Sequence, residues 1–411
     1  MRAACVTRPG VVEVRTFPRP VAGPDQVLVE MRYASICGSD VHAVFDGFHN
    51  PDLLGTAGYP GHEGVGVVVH SGSPDFEPGC AVLTVPHGQR GGCFAEYQVV
   101  DASHVITLDG GDDLRRMLLA QQLGTSAFGM KKFLPAGTPA EAMPRTAVVI
   151  GAGSSGLFFL QHLVARGVEV IVSDLNKDRL VVAERLGAAR TVPEPDEAIA
   201  TVVHDVTHGV GADLVIEAAG YDHTRAAAIE AVRARGTIGF FGYPESKGNA
   251  PFPVERAFRK SLTMEWVNGT QAEPGLVSFR AAVEAIRTGA IEVDHCLDAM
   301  FDLDDAPAAF DAARANGHGA AKVGIVLPSA RERGHGAVHR PCSIIAVTDS
   351  SSAPCTTASE ADIRPRGRTS DSVRLSDGVV GTAITSSPCA PAVAILAGSI
   401  DHPSPSATRA R

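Results

Sequence analysis

The chain has 411 residues, too many for one ordinary hydrophobic core, and this length predicts two domains. Hydrophobic residues make up 45% and charged residues 20%, as in soluble globular proteins, and the formal charge of −10 argues against nucleic acid as a partner, because phosphate binding needs clustered Lys and Arg. No apolar run has the length of a membrane span and no hydrophobic signal segment opens the chain, so we expect a cytoplasmic protein without a membrane partner.

The first 110 residues show short strands separated by turns. The segments QVLVEMRYASI, GVGVVVHSG and CFAEYQVV are rich in β-forming residues, and frequent Gly and Pro break the chain between them. This pattern predicts a compact, irregular, barrel-like domain at the start of the chain.

Two stretches of this region carry candidate metal ligands. The segment ICGSDVH, residues 36–42, contains Cys37, and the segment PGHEG contains His62. A thiolate and an imidazole are ligands that zinc prefers, and Asp40 can orient the His62 ring as a hydrogen-bond acceptor. Ser39 and His42 add a hydroxyl and an imidazole that can pass a proton to solvent. A lone Cys and a lone His are more often core residues, so the metal interpretation depends on these surroundings.

The pattern changes near residue 145, where strands begin to alternate with helices. A buried strand, a glycine turn, a helix, a second strand and another helix are contained in TAVVIGAGSSGLFFLQHLVARGVEVIVSDLNKDRLVVAERLGA. GADLVIEAAG and GTIGFFGYP continue the strands, with HTRAAAIEAVRA as a helix between them. Such alternation predicts a parallel, doubly wound sheet with helices on both faces.

The glycine turn GAGSSG has the spacing of a dinucleotide-binding site. Its glycines are Gly151, Gly153 and Gly156. They permit a tight turn and a close approach of the backbone to a pyrophosphate at the positive end of the following helix. Asp174 ends the next strand, where its carboxylate can accept hydrogen bonds from both ribose hydroxyls and repel a 2′-phosphate, so we expect NAD. Lys177 and Arg179 are either adenosine contacts or solvated helix charges.

The end of the chain divides into a folded part and a tail. Helices are expected at 275–289 and 305–315, and AAKVGIVLP is expected to be the last strand, ending at Pro328. Residues 329–411 are rich in Ser and Pro and contain no aromatic residue. A segment of this composition buries little surface, so we expect a disordered tail and assign it no function.

Several segments together resemble the zinc-dependent medium-chain dehydrogenase/reductase family, which includes alcohol, sorbitol and threonine dehydrogenases. In chain order they are ICGSDVH, YPGHEGVGVV, GGCFAEYQVV, GAGSSG with SDLNKDRL, and ADLVIEAAG. The resemblance runs from Met1 to about Leu327 and leaves the tail uncovered. It is specific, because independent motifs occur in one order and at one spacing.

This resemblance implies an α/β fold in which a GroES-like β-barrel catalytic domain is joined to a Rossmann cofactor domain. The boundaries that it implies are 1–126 for the catalytic domain, completed by 271–328, and 127–270 for the NAD-binding domain. It also implies that Cys37 and His62 bind one catalytic zinc ion and that Glu63 is a near or exchanging ligand. Ser39 would contact the substrate oxygen, and His42 would end the proton relay.

The chain departs from the family pattern at two places. The optional structural-zinc lobe of four cysteines would follow PGCAVLTVPHG, but here the chain runs directly into QRGGCFAEY, so a second zinc ion is not expected. The third protein ligand is usually a Cys, Asp or Glu in the stretch that reads LAQQLGTSAFG here, and Gln121 occupies that place. An amide oxygen can bind zinc but is a weaker ligand than a carboxylate. Cys93 is a remote alternative, because its context matches a barrel strand.

We therefore expect a zinc-dependent, NAD-linked alcohol dehydrogenase that converts a small-molecule alcohol, either a secondary alcohol, a polyol or a cyclitol, to a ketone or aldehyde. Two alternatives stay open: a zinc-free quinone or enoyl reductase of the same fold, and a non-catalytic dinucleotide-binding protein. The segment SLTMEWVNG resembles the family's edge strand, which pairs with its copy in a second subunit. A homodimer or homotetramer is the expected assembly.

Overall fold

The structure is a computed structural model that describes residues 1–87 and 91–332. Its strands are β1 (Arg2–Arg8), β2 (Val11–Thr16), β3 (Gln26–Ile36), β4 (Glu63–Ser71), β5 (Ala81–Thr84), β6 (Tyr97–Asp101), β7 (Val105–Thr107), β8 (Thr146–Ile150), β9 (Glu169–Asp174), β10 (Arg190–Pro193), β11 (Ala212–Glu217), β12 (Val232–Phe240), β13 (Thr263–Trp266), β14 (Ala299–Asp302) and β15 (Val323–Val326). Its helices are α1 (Gly38–Phe45), α2 (Leu114–Met117), α3 (Ala120–Phe133), α4 (Ser154–Val164), α5 (Lys177–Arg185), α6 (Ile199–Val206), α7 (Asp222–Ala231), α8 (Val254–Lys260), α9 (Val277–Arg287), α10 (Ala306–Arg314) and α11 (Pro328–Glu332).

The first sheet is built mainly from the N-terminal strands. It has seven strands in the order β14-β15-β3-β4-β5-β7, with β6 also paired to β3. The central strand β3 is buried on both faces because one set of its side chains, including Val29 and Met31, joins one core cluster, while Tyr33 joins another. Since β15 pairs antiparallel with β3, the chain returns to this sheet after it has formed the second one.

The second sheet confirms the predicted parallel, doubly wound arrangement. Its six strands lie in the order β10-β9-β8-β11-β12-β13, and each neighbouring pair is parallel. The strand order reverses between β8 and β11, and ligands of such sheets bind at this switch point, outside the carboxyl ends of the strands. Strand β8, with the sequence TAVVI, is buried over 147–150, as its continuous apolar run predicts.

Helix α3 packs closely against helix α9 and strand β12. Gly124 of this helix lies against Phe279 of α9, where a Cβ atom at position 124 would come within 2.4 Å of the ring. At its other end Phe133 packs over Gly239 of β12. A glycine at each contact lets the helix approach both neighbours, and this fixes where Gln121, near the start of α3, is placed.

The segment SLTMEWVNG forms the edge of the second sheet, as expected. Strand β13 pairs with β12, and within the described residues its other side has no partner strand. Trp266 is 56% exposed and Met264 is also partly exposed. An edge strand with exposed apolar side chains favours pairing with another chain.

The described chain continues beyond the expected last strand. Helix α11 begins at Pro328, the Ser329 hydroxyl donates a hydrogen bond to the Met31 carbonyl, and Ala330 is buried. Residues 329–332 therefore belong to the folded part, although the sequence places them in the tail. The remainder of the predicted tail, from position 333, lies outside the described residues.

Across the described residues, no helix combines the length and the apolar character that a membrane crossing requires. The expected cytoplasmic location stays a prediction.

Candidate active site

A cavity of about 530 Å³ is lined by residues from both sheets and from α3. From the first sheet and its loops come Cys37, Ser39, His42, His62, Glu63 and Lys322. From the second sheet and its loops come Gly151, Gly153, Gly156, Asp174, Arg179 and Tyr243. Gln121 lines the same cavity from α3. Nearly all of the candidate site residues predicted from the sequence therefore line the same cavity.

Three potential metal ligands meet at one end of the cavity. The ligand atoms of Cys37, His62 and Glu63 all lie within 4.8 Å of one another. Strands β3 and β4 bring them together: Ser35 pairs with Glu63, so Cys37, just after β3, reaches His62, just before β4. A thiol, an imidazole and a carboxylate in one cluster are a donor set that suits zinc.

Asp40 orients the His62 ring, as the sequence predicts. The ring Nδ1 lies 3.0 Å from Asp40 Oδ1, and the Cys37 backbone N–H donates to the other oxygen of Asp40. Burial alone would lower the pKa of His62, but the charge of Asp40 raises this pKa well above its usual value. Because Asp40 accepts from Nδ1, the other ring nitrogen, Nε2, is the one left for a metal ion.

Glu63 has two partners that the sequence reasoning missed. Lys322 Nζ lies 2.6 Å from Glu63 Oε2, and the Ser35 hydroxyl donates to the same oxygen. The pair is deeply buried, since Glu63 is 1% and Lys322 is 5% exposed. Burial raises the pKa of Glu63, but the ammonium group of Lys322 outweighs it and the net shift is downward. The sequence does contain one signal for such a pair. Lys322 is the single lysine of the apolar segment AAKVGIVLP, and a lysine is almost never fully buried unless it has an acidic partner.

Gln121 fits the place of a further ligand. Its side chain is buried against the cavity, and its amide Nε2 has no hydrogen-bond partner among the described atoms. A buried amide needs partners for its polar atoms, and the oxygen and nitrogen of an amide exchange places by a simple flip. The orphaned atom therefore fits a bound ion or substrate in the cavity.

Cys93, the alternative ligand, has a different environment. Its thiol is fully buried and donates a hydrogen bond to the Glu63 backbone carbonyl. Burial raises the pKa of the Cys93 thiol well above its usual value. Since the thiolate is the form that binds metal, a protonated thiol that donates to a carbonyl is typical of a core residue.

Ser39 and His42 both line the cavity from α1. The His42 ring stacks on Tyr243, with ring centroids 5.5 Å apart, and its Nδ1 lies 2.8 Å from Asp46 Oδ2. Tyr243 follows β12 of the second sheet, so an aromatic contact joins the two halves of the cavity. Sequence reasoning missed both Tyr243 and Asp46.

The glycine turn has the shape that a pyrophosphate requires. Gly151 has φ +101°, a conformation that favours glycine, and a Cβ atom at Gly156 would lie 1.8 Å from the Gly151 carbonyl oxygen. A Cβ atom at Gly153 would have no neighbour within 4 Å, so this backbone faces open space at the start of α4. The positive end of that helix, next to open space, fits an anionic cofactor.

Asp174 and Arg179 lie further along the cavity wall. The two Asp174 oxygens accept hydrogen bonds from the backbone N–H groups of Ala152 and Asn176, each at 2.7 Å. The Arg179 guanidinium lies 4.0 Å from Asp174 and donates to the Ala320 carbonyl. Lys177, by contrast, is exposed, pairs with Asp196, and is not among the residues that line the cavity.

Comparison with known proteins agrees with this geometry. The family described as zinc-binding dehydrogenase matches residues 156–288, and the alcohol dehydrogenase GroES-like domain matches residues 23–110. A probable zinc-binding alcohol dehydrogenase of Mycobacterium tuberculosis is 29% identical over 77% of this chain and 86% of that protein. A D-arabitol-phosphate dehydrogenase of Enterococcus avium is 26% identical over 71% of this chain and 88% of its own length.

Solved structures show the same likeness. The alcohol dehydrogenase of Thermus sp. ATN1 superposes with a TM-score of 0.66 at 25% identity, over 80% of this chain and 100% of that one. The expected fold class, a GroES-like domain with a Rossmann sheet, is confirmed. The chain belongs to the zinc-dependent medium-chain dehydrogenase/reductase family.

Proposed function

We propose that the protein is an alcohol dehydrogenase that uses one zinc ion and NAD to oxidise an alcohol to a ketone or aldehyde. One observation supports this most strongly: the cluster of Cys37, His62 and Glu63 and the glycine turn line the same cavity. A metal site alone would suit a hydrolase, and a dinucleotide site alone would suit a binding protein. Their convergence fits hydride transfer.

The residues that would hold the metal are Cys37, His62 and Gln121, with Glu63 as a near or exchanging ligand. Bound zinc supplies Lewis acidity, which lowers the pKa of a hydroxyl group beside it. Lys322 and Ser35 occupy one carboxylate oxygen of Glu63, so only the other oxygen is available to a ligand. This arrangement supports an exchanging role for Glu63.

The chain's own residues provide the path for the proton. Ser39 would receive the proton of the substrate hydroxyl, and His42 would pass it on towards solvent. Both side chains line the cavity, and His42 is held against Tyr243, which lies on the cofactor side. The nicotinamide ring supplies the hydride acceptor.

The glycine turn and the end of β9 would hold the cofactor. Gly151, Gly153 and Gly156 would accommodate the pyrophosphate at the start of α4, and Asp174 would accept hydrogen bonds from the ribose hydroxyls. Its carboxylate would repel a 2′-phosphate, which supports NAD over NADP. Arg179, on the same wall, would contact the adenosine, and Lys177 would contribute only at the surface.

We infer a secondary alcohol, polyol or cyclitol as the substrate. The relatives include a D-arabitol-phosphate dehydrogenase, and the sequence has no four-cysteine lobe, as in the branch of the family without a structural zinc ion. We also infer a homodimer or homotetramer formed through β13, because its exposed Met264 and Trp266 would be covered by a second copy.

The domain boundaries that we propose are those expected from the sequence. Strands β1–β7, β14 and β15 fall within 1–126 and 271–328, and strands β8–β13 fall within 127–270. Helix α3 crosses the first boundary, since it begins at Ala120 and ends at Phe133.

Zinc analysis, NAD titration and an alcohol panel together test this function. The purified protein should contain about one zinc ion per chain and should reduce NAD with at least one secondary alcohol or polyol. Cys37→Ser should lose zinc and turnover, whereas Cys93→Ser, a matched change at the neighbouring buried thiol, should keep both.

The same measurements distinguish the alternatives. A zinc-free reductase would contain no zinc and would reduce quinones or enoyl substrates. A binding protein would bind NAD and convert no substrate. Equal zinc loss in both cysteine variants would contradict the assignment of Cys37.

A further inference from the structure

His42 is fixed by contacts on several sides. Its Nδ1 lies 2.8 Å from Asp46 Oδ2, four residues further along the chain. One face of the ring stacks on Tyr243, at an interplanar angle of 26°, and Phe48 meets the ring edge-on at 5.8 Å. The imidazole is mostly buried, while the Asp46 side chain is 38% exposed and so reaches solvent.

The contact with Asp46 determines which ring nitrogen carries hydrogen. An ionised carboxylate only accepts hydrogen bonds, so the Nδ1 atom of His42 must be the donor. In the neutral ring, Nε2 is then the atom with a free lone pair. The ring therefore presents a proton acceptor on the side away from Asp46.

Helix stability does not explain the presence of Asp46. It caps the carboxyl end of α1, where the negative end of the helix dipole disfavours a carboxylate. Ion pairs at this spacing on a helix stabilise it only weakly. The pair does, however, hold the one imidazole of α1 that lines the cavity.

We propose that Asp46 is a positioning residue for the proton relay and that it acts by fixing the tautomer of His42. This inference rests on the proposed function. A proton that leaves the substrate hydroxyl by way of Ser39 ends on His42 Nε2, while Nδ1–H remains bonded to Asp46. Loss of one proton from the charged ring to water then restores the starting state, so one proton is released for each alcohol oxidised.

Single-turnover kinetics of three variants test the proposal. With saturating NAD, Asp46→Asn should slow NADH formation about 10-fold. This is less than the 10²–10⁴-fold rate acceleration that a general base provides, because the variant keeps His42 and loses only its positioning. In separate steady-state assays, the KM values for alcohol and NAD should not change. Asp46→Glu should recover most of the rate, because a carboxylate at the same spacing still reaches Nδ1. Glu255→Gln, at another exposed i,i+4 pair far along the chain, should leave the rate unchanged.

A second measurement does not depend on activity. In ¹⁵N-histidine NMR spectra, the His42 signal, assigned by its loss in His42→Gln, should show the Nδ1–H tautomer in the wild type and a mixture in Asp46→Asn. A wild-type rate and an unchanged tautomer in Asp46→Asn would overturn the proposal. If the wild type oxidises no alcohol, the proposed function fails, and the NMR spectra still decide whether Asp46 fixes the ring.

Discussion

Replacing Lys322 by methionine should destabilise the protein by several kcal/mol. The ammonium group of Lys322 lies 2.6 Å from Glu63 Oε2, and both side chains are almost fully buried. Methionine has a similar length and fills most of the volume, so the change removes the charge and little of the packing. Truncating one partner of a buried ion pair costs about 3–5 kcal/mol, because the other charge is left uncompensated. The remaining hydrogen bond from Ser35 places our expectation near the lower end, at about 3 kcal/mol.

A double-mutant cycle measures this cost. In urea unfolding of the metal-free protein, Lys322→Met and Glu63→Gln should each lower the free energy of unfolding strongly. The double variant should lose less than the sum of the two single losses, because it leaves no buried charge unpaired. Coupling of about 2–3 kcal/mol is expected for two residues in contact. A loss below about 1 kcal/mol in Lys322→Met would show that water or another group compensates Glu63, and would refute the reasoning.

Three further predictions address the ligands, the cofactor and the pH dependence. Gln121→Glu should slow the loss of zinc to a chelator and Gln121→Ala should speed it, since a carboxylate binds zinc more strongly than an amide; identical rates would exclude this residue as a ligand. Asp174→Ala should weaken NAD binding and reduce the preference of the enzyme for NAD over NADP, as measured by comparing the KM for NAD with the KM for NADP. Burial lowers the pKa of His162 to about 4, so the unfolded chain binds the proton first as the pH falls below 6.5. The contribution of His162 to the free energy of unfolding should therefore be fully present above pH 6.5 and about 2 kcal/mol smaller at pH 5. Urea midpoints measured at both pH values should show this loss in the wild type and not in His162→Gln.

The sequence predicted the parallel sheet well because its signals are local. Strand β8 matches the segment TAVVI, and the glycine turn follows it as expected. The helix HTRAAAIEAVRA, however, ends at Ala231, and its last residues begin β12 at Val232. Here the pairing of Ala212 with Val232 outweighs the local helix propensity.

The candidate site was only partly predictable, because sequence motifs are local and the site also contains residues from distant segments. Motifs identified Cys37 and His62, because their spacing is local and characteristic. The partners Lys322 and Tyr243 come from other parts of the chain, and only the packed fold brings them to the cavity. A pattern of hydrophobic residues predicts which faces are buried, but it does not predict which distant polar side chains meet.

The register of three neighbouring strands explains why the charged groups converge. Strand β3 ends where β4 and β15 begin: Ser35 pairs with Glu63, and Ile36 pairs with Val323. Cys37 therefore follows β3 at the same sheet end at which Glu63 starts β4 and Lys322 precedes β15. A slip of one residue in either pairing would turn the side chains to the opposite face and separate the lysine from the carboxylate. The register of β15, β3 and β4 thus brings together the proposed metal ligands and the lysine that neutralises Glu63, although these residues lie far apart in the sequence.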